Sequence, residues 1–321
     1  MSSSSNSGVG RVAGVCARGP SEAAGWHSLP PEYAFPARTP SLEESRAFCE
    51  RLARSHYENF SVATWFLPPR LRPHFCSIYA YCRISDDLGD EVGDPAASLL
   101  LLDEWEAELG ACFAGSPRHP VFVALAETVS ACDIPREPFS DLLRAFRQDQ
   151  LVQRYQTFDD LLGYCRYSAN PVGRLVLFAC GYRDAERQEL SDQTCTALQL
   201  ANFWQDVTVD HAKGRIYVPQ EDLSRFGVGE GDIASRNCTP AFRDLMRFEV
   251  ARAQEWFDRG RPLASMVDKE LSLDIELFTR GGEEILRAIA RQRFDVLRRR
   301  PQISRTRKLW LVARAALGKL L

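Results

Sequence analysis

Two acidic clusters set into apolar helical sequence constrain this 321-residue chain more than any other feature. The first, Asp86-Asp87-Leu88-Gly89-Asp90-Glu91, follows the apolar run Phe75 to Ile84. The second, Asn202, Asp206 and Asp210, follows Ala197-Leu198-Gln199-Leu200-Ala201. Residues four apart share one face of an α-helix, so Asp86 and Asp90 form one acidic edge, and Asn202, Asp206 and Asp210 form another. Like charges on one face repel, and burying them unpaired costs several kcal/mol. A cation must therefore stand between the clusters. Hard oxygen donors on opposed helices suit Mg²⁺, which takes a few carboxylates and completes its octahedron with water and phosphate oxygens. A metal-bridged diphosphate is the guest such an arrangement calls for. Asp87 flanks the first edge, and Arg83, three residues before Asp86, is placed to clamp a phosphate. Alone, the first cluster also reads as a solvated helix end with an Arg–Asp pair. A second one, on a helix too apolar for the surface, tips the balance toward metal.

Composition narrows the partners. A net charge of −3 gives no reason to propose nucleic acid, and 45% hydrophobic residues can fill a sizeable core. The ten cysteines show no C-x-x-C and no metal spacing against the five histidines, as expected of small core residues in a reducing compartment. No apolar run reaches the roughly 18 residues of a membrane span, and the N-terminus lacks a signal-peptide core, so a soluble cytoplasmic protein is expected. Residues 1–40 are rich in Ser, Gly, Ala and Pro without periodicity and are expected to be disordered. Their Arg-bearing, acid-poor start faintly resembles a transit peptide; a dispensable tail or a start codon placed too early is the favoured alternative.

From Ser41, expected as an N-cap, the pattern is helical almost throughout, and 41–321 reads as one domain. Apolar residues recur at three and four over Leu99–Phe113, Phe139–Tyr155, Phe158–Cys180, Glu186–Asp210, Ala241–Phe257 and Glu283–Leu297. Pro and Gly punctuate between, notably at Pro68-Pro69, Gly115-Ser116-Pro117, Gly214 and Gly281-Gly282. No strand alternation stands out. Gly-x-Gly-x-x-Gly, Walker A and Gly-x-Ser-x-Gly motifs are absent, which argues against nucleotide folds and α/β hydrolases. The expected fold class is all-α, a helical bundle around a central cavity. After the second cluster, Lys213-Gly214-Arg215-Ile216-Tyr217-Val218-Pro219 offers Gly214 as a helix C′ residue. Lys213 and Arg215 there read either as an ordinary basic helix end or as partners for diphosphate.

These two clusters, with Tyr164-Cys165, Pro171-Val172-Gly173 and Lys213 to Pro219, resemble the squalene/phytoene synthase family over roughly residues 50 to 320. The resemblance implies an isoprenoid-synthase-type bundle whose two aspartate-rich helices face each other across the cavity. It implies a prenyl diphosphate substrate and two or three Mg²⁺ ions that help the diphosphate leave. By position, Asp86 and Asp90, with Asp87 beside them, would be ligands of the first motif, and Asn202, Asp206 and Asp210 of the second. Arg83, Lys213, Arg215 and Arg300 would bind diphosphate. The carbocation left behind needs aromatic walls; Tyr164 and Phe60 are the first candidates, with Tyr79, Tyr167, Phe203 and Trp204 behind them and plain core packing the alternative for each. Asp149 and Arg154-Tyr155 resemble a further polar stretch of the family or form an inter-helix pair.

Two segments point to a branch. Ser55-His56-Tyr57-Glu58-Asn59-Phe60 and Tyr164 to Gly173, with Asn170-Pro171 where condensing members carry a Gly-containing version, resemble the bacterial hydroxysqualene synthases of the hopanoid pathway. That branch ionises presqualene diphosphate and lets water capture the rearranged cation, which requires no NADPH. Glu58, Asn59 and Asn170 are candidates to hold the water. The alternatives are a condensing squalene or phytoene synthase using two farnesyl or geranylgeranyl diphosphates, and a non-catalytic assembly factor, which the intact clusters disfavour. The basic C-terminal stretch from Arg291, ending in Leu309-Trp310-Leu311-Val312, reads as a solvated helix or as a peripheral membrane contact. Other squalene-pathway enzymes are the expected protein partners.

Overall fold

The computed structural model describes residues 29–55 and 68–303. Among them the helices are α1 (Leu42–Ser55), α2 (Arg72–Asp90), α3 (Pro95–Phe113), α4 (Pro120–Cys132), α5 (Glu137–Asp149), α6 (Phe158–Ser168), α7 (Asn170–Ala179), α8 (Ala185–Ala212), α9 (Gln220–Phe226), α10 (Glu230–Ala234), α11 (Pro240–Gly260) and α12 (Lys269–Arg291). The described residues form no strand, only an isolated bridge between Arg154 and Ile216. The expected all-α class is what the chain adopts. Among them, too, no helix is long and apolar enough to cross a membrane.

Local chemistry sets the helix boundaries. Ser41 caps α1 as expected: its Oγ accepts from the Glu44 amide, and Glu44 reaches back to the Ser41 amide at 2.7 Å. Asp94 and Thr239 cap helices that open on proline, where the missing N–H costs nothing. Two boundaries differ from the periodicity. The helix expected over Phe158–Cys180 divides at Ala169, because Pro171 cannot donate to the preceding turn and its ring crowds it; the proline instead opens α7. Conversely, Gly281-Gly282 does not interrupt α12. A Cβ at Gly282 would lie 2.8 Å from Leu198 Cδ2 and closer still to the Phe257 ring, so glycine is there for close helix packing.

Two large apolar cores hold the described helices. Tyr81, Trp105, Phe122 and Phe139 interlock in the first, with the Tyr81 hydroxyl donating to the Phe139 carbonyl and the Trp105 indole to Ser85. Trp204, Phe242 and Phe257 anchor the second, around the 28-residue α8, which packs on α7, α11 and α12. Leu29 and Tyr33 are buried in the first core. This corrects the expected extent of the disordered tail: the part described from residue 29 is packed, because Tyr33 covers apolar surface and finds a partner for its hydroxyl. Between the cores, α2, α7, α8 and α12 enclose an apolar cavity of about 290 Å³.

Candidate active site

The cavity and the acidic motifs occupy the same helix faces. On α2, Tyr79 and Cys82 line the cavity and Asp86 and Asp90 continue their stripe. On α8, Ser191, Cys195 and Leu198 line it, and Asn202, Asp206 and Asp210 continue theirs. An apolar chamber thus turns acidic toward the C-terminal end of both helices. Helix C-termini carry partial negative charge, so carboxylates there are disfavoured by about 0.3–1 kcal/mol each unless cations compensate.

Compensation comes from three basic side chains. Helix α8 ends in a Schellman turn: the Arg215 amide donates to the Asp210 carbonyl at 2.9 Å and the Gly214 amide to His211, with Gly214 at φ +82°. This expected glycine lets the chain reverse, and Lys213 and Arg215 turn across the cleft to Asp90. Lys213 Nζ lies 2.8 Å from Asp90 Oδ2 and Arg215 Nη1 2.9 Å from Oδ1. Arg300 forms a fork on Asp206, with Nη2 at 3.0 Å from Oδ2, and Asn202 donates to the same oxygen at 3.1 Å. The neighbouring Pro301 is tied to α8 through Gln205. The basic groups expected to meet diphosphate therefore stand on the two acidic motifs.

The remaining carboxylates are short of positive charge. Partial desolvation, then Asp90, pushes Asp86 up to about 7, although half its side chain still meets solvent in the cleft. Burial, then Asp206, pushes Asp210 up to about 7, with Asp90 of the opposite helix contributing. That Asp90 on one helix raises the affinity of Asp210 on the other for positive charge fits a divalent ion held by hard oxygen donors. Among the described residues, no three acidic or other metal-ligating side chains converge as a ready-made cage.

Not every expected residue joins this face. Asp87 is buried and turned away, accepting from Arg83 Nε at 2.9 Å and the Tyr33 hydroxyl at 2.8 Å. Its position one residue after Asp86 rotates it about 100° around the helix, toward the core. Arg83 spends one edge of its guanidinium on Asp87, and its Nη1 lies 3.9 Å from Asp86. Tyr164 is not part of the cavity wall. Its hydroxyl donates to Asp149 at 2.7 Å and Tyr217 shares that carboxylate at 3.3 Å, while Phe203 stacks on Tyr217 with ring centres 4.0 Å apart. Burial pushes Asp149 up to about 6, and Arg215 is the main influence holding it down. Asp149 and Tyr217 thus back the arginine that reaches Asp90, a role sequence spacing signals only through membership of the same motifs. Tyr79 lines the cavity, Trp204 is core, and Tyr167 carries the Arg144 guanidinium on its face. Asn170 accepts from Thr196 at 3.0 Å and does not line the cavity. Glu58, Asn59, Phe60 and the C-terminal segment from residue 304 lie outside the described residues.

The described helices thus set two opposed acidic motifs beside an apolar chamber. The sequence profile of the family described as Squalene/phytoene synthase matches residues 53–307, and the chain belongs to that family of enzymes. It is 31% identical to phytoene synthase 3, chloroplastic, of Zea mays over 85% of this chain and 65% of that protein, so it spans just under two thirds of the maize enzyme. It is 30% identical to 15-cis-phytoene synthase of Synechococcus elongatus over 84% of this chain and 91% of that one. Among solved structures, squalene synthase HpnC from Alicyclobacillus acidocaldarius is 49% identical, with a TM-score of 0.75 over 84% of this chain and 99% of that chain. A dehydrosqualene synthase in complex with ligand is 25% identical, with a TM-score of 0.79 over 87% of this chain and 98% of that chain.

Proposed function

We propose that this enzyme converts presqualene diphosphate to hydroxysqualene in hopanoid-type isoprenoid synthesis. The observation that carries this reading is the Asn170-Pro171 break between α6 and α7, where Asn170 is fixed to α8 through Thr196, in a chain 49% identical to squalene synthase HpnC. Asp86 and Asp90 of the first motif and Asn202, Asp206 and Asp210 of the second would hold Mg²⁺, which supplies charge neutralisation to the departing diphosphate. Asp87 is left out of that set, since its carboxylate is bound to Arg83 and Tyr33.

The chain's own residues do the rest. Arg83, Lys213, Arg215 and Arg300 stand at the acidic mouth and bind the diphosphate oxygens, each exchanging part of its present carboxylate contact for phosphate. Asp149, with Tyr164 and Tyr217, keeps Arg215 aimed at that mouth. The hydrocarbon lies in the apolar chamber, where Tyr79 and Phe278 present rings to the carbocation and water is largely excluded. Because water ends the reaction, no NADPH is needed.

Condensation of two farnesyl or geranylgeranyl diphosphates is the second reading, favoured by about 30% identity to phytoene synthases. Product analysis by gas chromatography–mass spectrometry separates the two. The purified protein with Mg²⁺ is given presqualene diphosphate or farnesyl diphosphate. Hydroxysqualene from the first and nothing from the second supports the proposal. Presqualene diphosphate, squalene or a related product from farnesyl diphosphate makes it a condensing synthase.

A further inference from the structure

Residues 29–38 run along the first core as a strap. Leu29 and Tyr33 are buried, Phe35 sets its ring edge-on to His119 at 5.5 Å, and Arg38 pairs with Glu44 at the start of α1. Pro30 and Pro31 fix the backbone for a single 3₁₀ turn over Pro31–Tyr33, in which the Tyr33 amide donates to the Pro30 carbonyl at 2.9 Å. Packing alone would be met by a phenylalanine at position 33. The hydroxyl has a separate use: it donates to Asp87 Oδ2 at 2.8 Å, where the tyrosine is 2% exposed.

Asp87 passes that contact on. Its Oδ2 also accepts from Arg83 Nε at 2.9 Å, and its Oδ1 accepts from Arg83 Nη2. A guanidinium gripped by two nitrogens in this bidentate way has its plane and direction fixed. The third nitrogen, Nη1, donates no hydrogen bond among the described residues and lies 3.9 Å from Asp86, on the edge that carries Asp90. The Asp87 side chain is 5% exposed and that of Arg83 31%, so the relay is sealed at the tyrosine end and open at the arginine end. Both Asp87 and Arg83 hang from α2, and without an anchor off that helix they could swing together. Tyr33, 54 residues earlier, is that anchor. The opposite wall of the mouth repeats the arrangement: Asp149 takes the hydroxyls of Tyr164 and Tyr217 and stands behind Arg215.

We propose that Tyr33 is a positioning residue for diphosphate binding: through Asp87 it holds Arg83 with its free edge toward the acidic mouth. The inference rests on the reading above in which Arg83 meets the substrate diphosphate. Tyr33 reaches the cleft only through Asp87 and makes no contact with the substrate. Its contribution is preorganisation. An arginine already oriented loses less rotamer freedom when it takes phosphate oxygens, which strengthens binding without a new contact.

The test measures binding of inorganic diphosphate to the full-length protein with Mg²⁺ by isothermal titration calorimetry, alongside thermal unfolding. Tyr33→Phe should weaken diphosphate about tenfold, the scale of one hydrogen bond. Tyr81→Phe removes another buried hydroxyl from the same core, the one on the Phe139 carbonyl. It should lower the thermal midpoint and leave diphosphate affinity unchanged. Arg83→Ala should weaken binding further, and adding Tyr33→Phe to it should change nothing more, because the tyrosine acts only through the arginine. Unchanged affinity in folded Tyr33→Phe, an equal loss in Tyr81→Phe, or the same loss again on top of Arg83→Ala overturns the assignment. If Tyr33→Phe does not fold, Asp87→Asn is read by the same criteria. If the wild type does not bind inorganic diphosphate, or Arg83→Ala binds it as tightly, the diphosphate reading of Arg83 falls and the inference falls with it. If Arg83→Ala is weakened and Tyr33→Phe is not, only the role of Tyr33 is lost.

Discussion

Arg215 Nη1 lies 2.9 Å from Asp90 Oδ1, joining the end of α8 to the end of α2 across 125 residues of sequence. The contact spans the two acidic motifs, and behind Arg215 stands Asp149, held by Tyr164 and Tyr217. It makes the cleft a set of interleaved anionic and cationic groups in which Asp86 and Asp210 are still short of positive charge. A diphosphate and its metal ions would rearrange these charges without having to assemble them, which is what electrostatic preorganisation requires.

Removing a ligand charge should abolish chemistry and spare the fold. Asp90→Asn and Asp206→Asn are each expected to slow diphosphate release by about 10²-fold or more, with helical circular dichroism unchanged. A fully active double variant would sink the metal assignment.

Chelation offers an independent check. EDTA should stop turnover and added Mg²⁺ should restore it. Mg²⁺ should also raise the thermal midpoint, since an ion that binds only the folded state stabilises it. Asp90→Asn combined with Asp206→Asn should remove that rise.

Tyr33→Phe probes the first core. It removes the hydroxyl that donates to buried Asp87 and should cost about 1–3 kcal/mol, the range for a buried acceptor losing its partner. Denaturant unfolding would read it as a lower midpoint at unchanged slope.

One guanidinium serves two buried carboxylates between α9 and α11. Arg252 Nη2 lies 2.6 Å from Asp222 Oδ2 and 2.7 Å from Glu249 Oε2, and Glu249 is completely buried. Burial, with Asp222 adding to it and Arg252 opposing, pushes Glu249 up to about 8 from an ordinary 4.5. A raised carboxyl contributes stability that is fully present below about 4.5 and lost as pH rises through about 8. Stability should therefore decline across that window, and Glu249→Gln should flatten the decline. An unchanged slope in the variant's unfolding free energy against pH would refute the assignment.

Gly282→Ala tests close packing. The added methyl would meet Phe257 and Leu198, and overpacking of this kind costs about 1–3 kcal/mol. Because Leu198 also lines the chamber, a lower thermal midpoint should be accompanied by slower turnover on the native substrate.

The helical class, the two acidic edges and the glycine-turned basic segment were all legible in the sequence. Each depends on spacing along one helix or on the chemistry of one turn, and such local rules survive without knowledge of neighbours. Ser41 capped α1 and Gly214 took a positive φ for the reasons their residue types suggested. Tertiary structure decided what local rules do not carry. A one-residue step turned Asp87 from the cleft to Tyr33, a partner 54 positions away in a stretch that composition alone assigns to a tail. Gly281-Gly282 looked like a break and proved to be a packing contact, because only the approach of Phe257 and Leu198 gives that glycine its purpose. Tyr164 kept its motif and lost its place on the cavity wall, since its hydroxyl found Asp149. Periodicity fixes which face a residue takes on its own helix; what that face meets depends on how the helices pack.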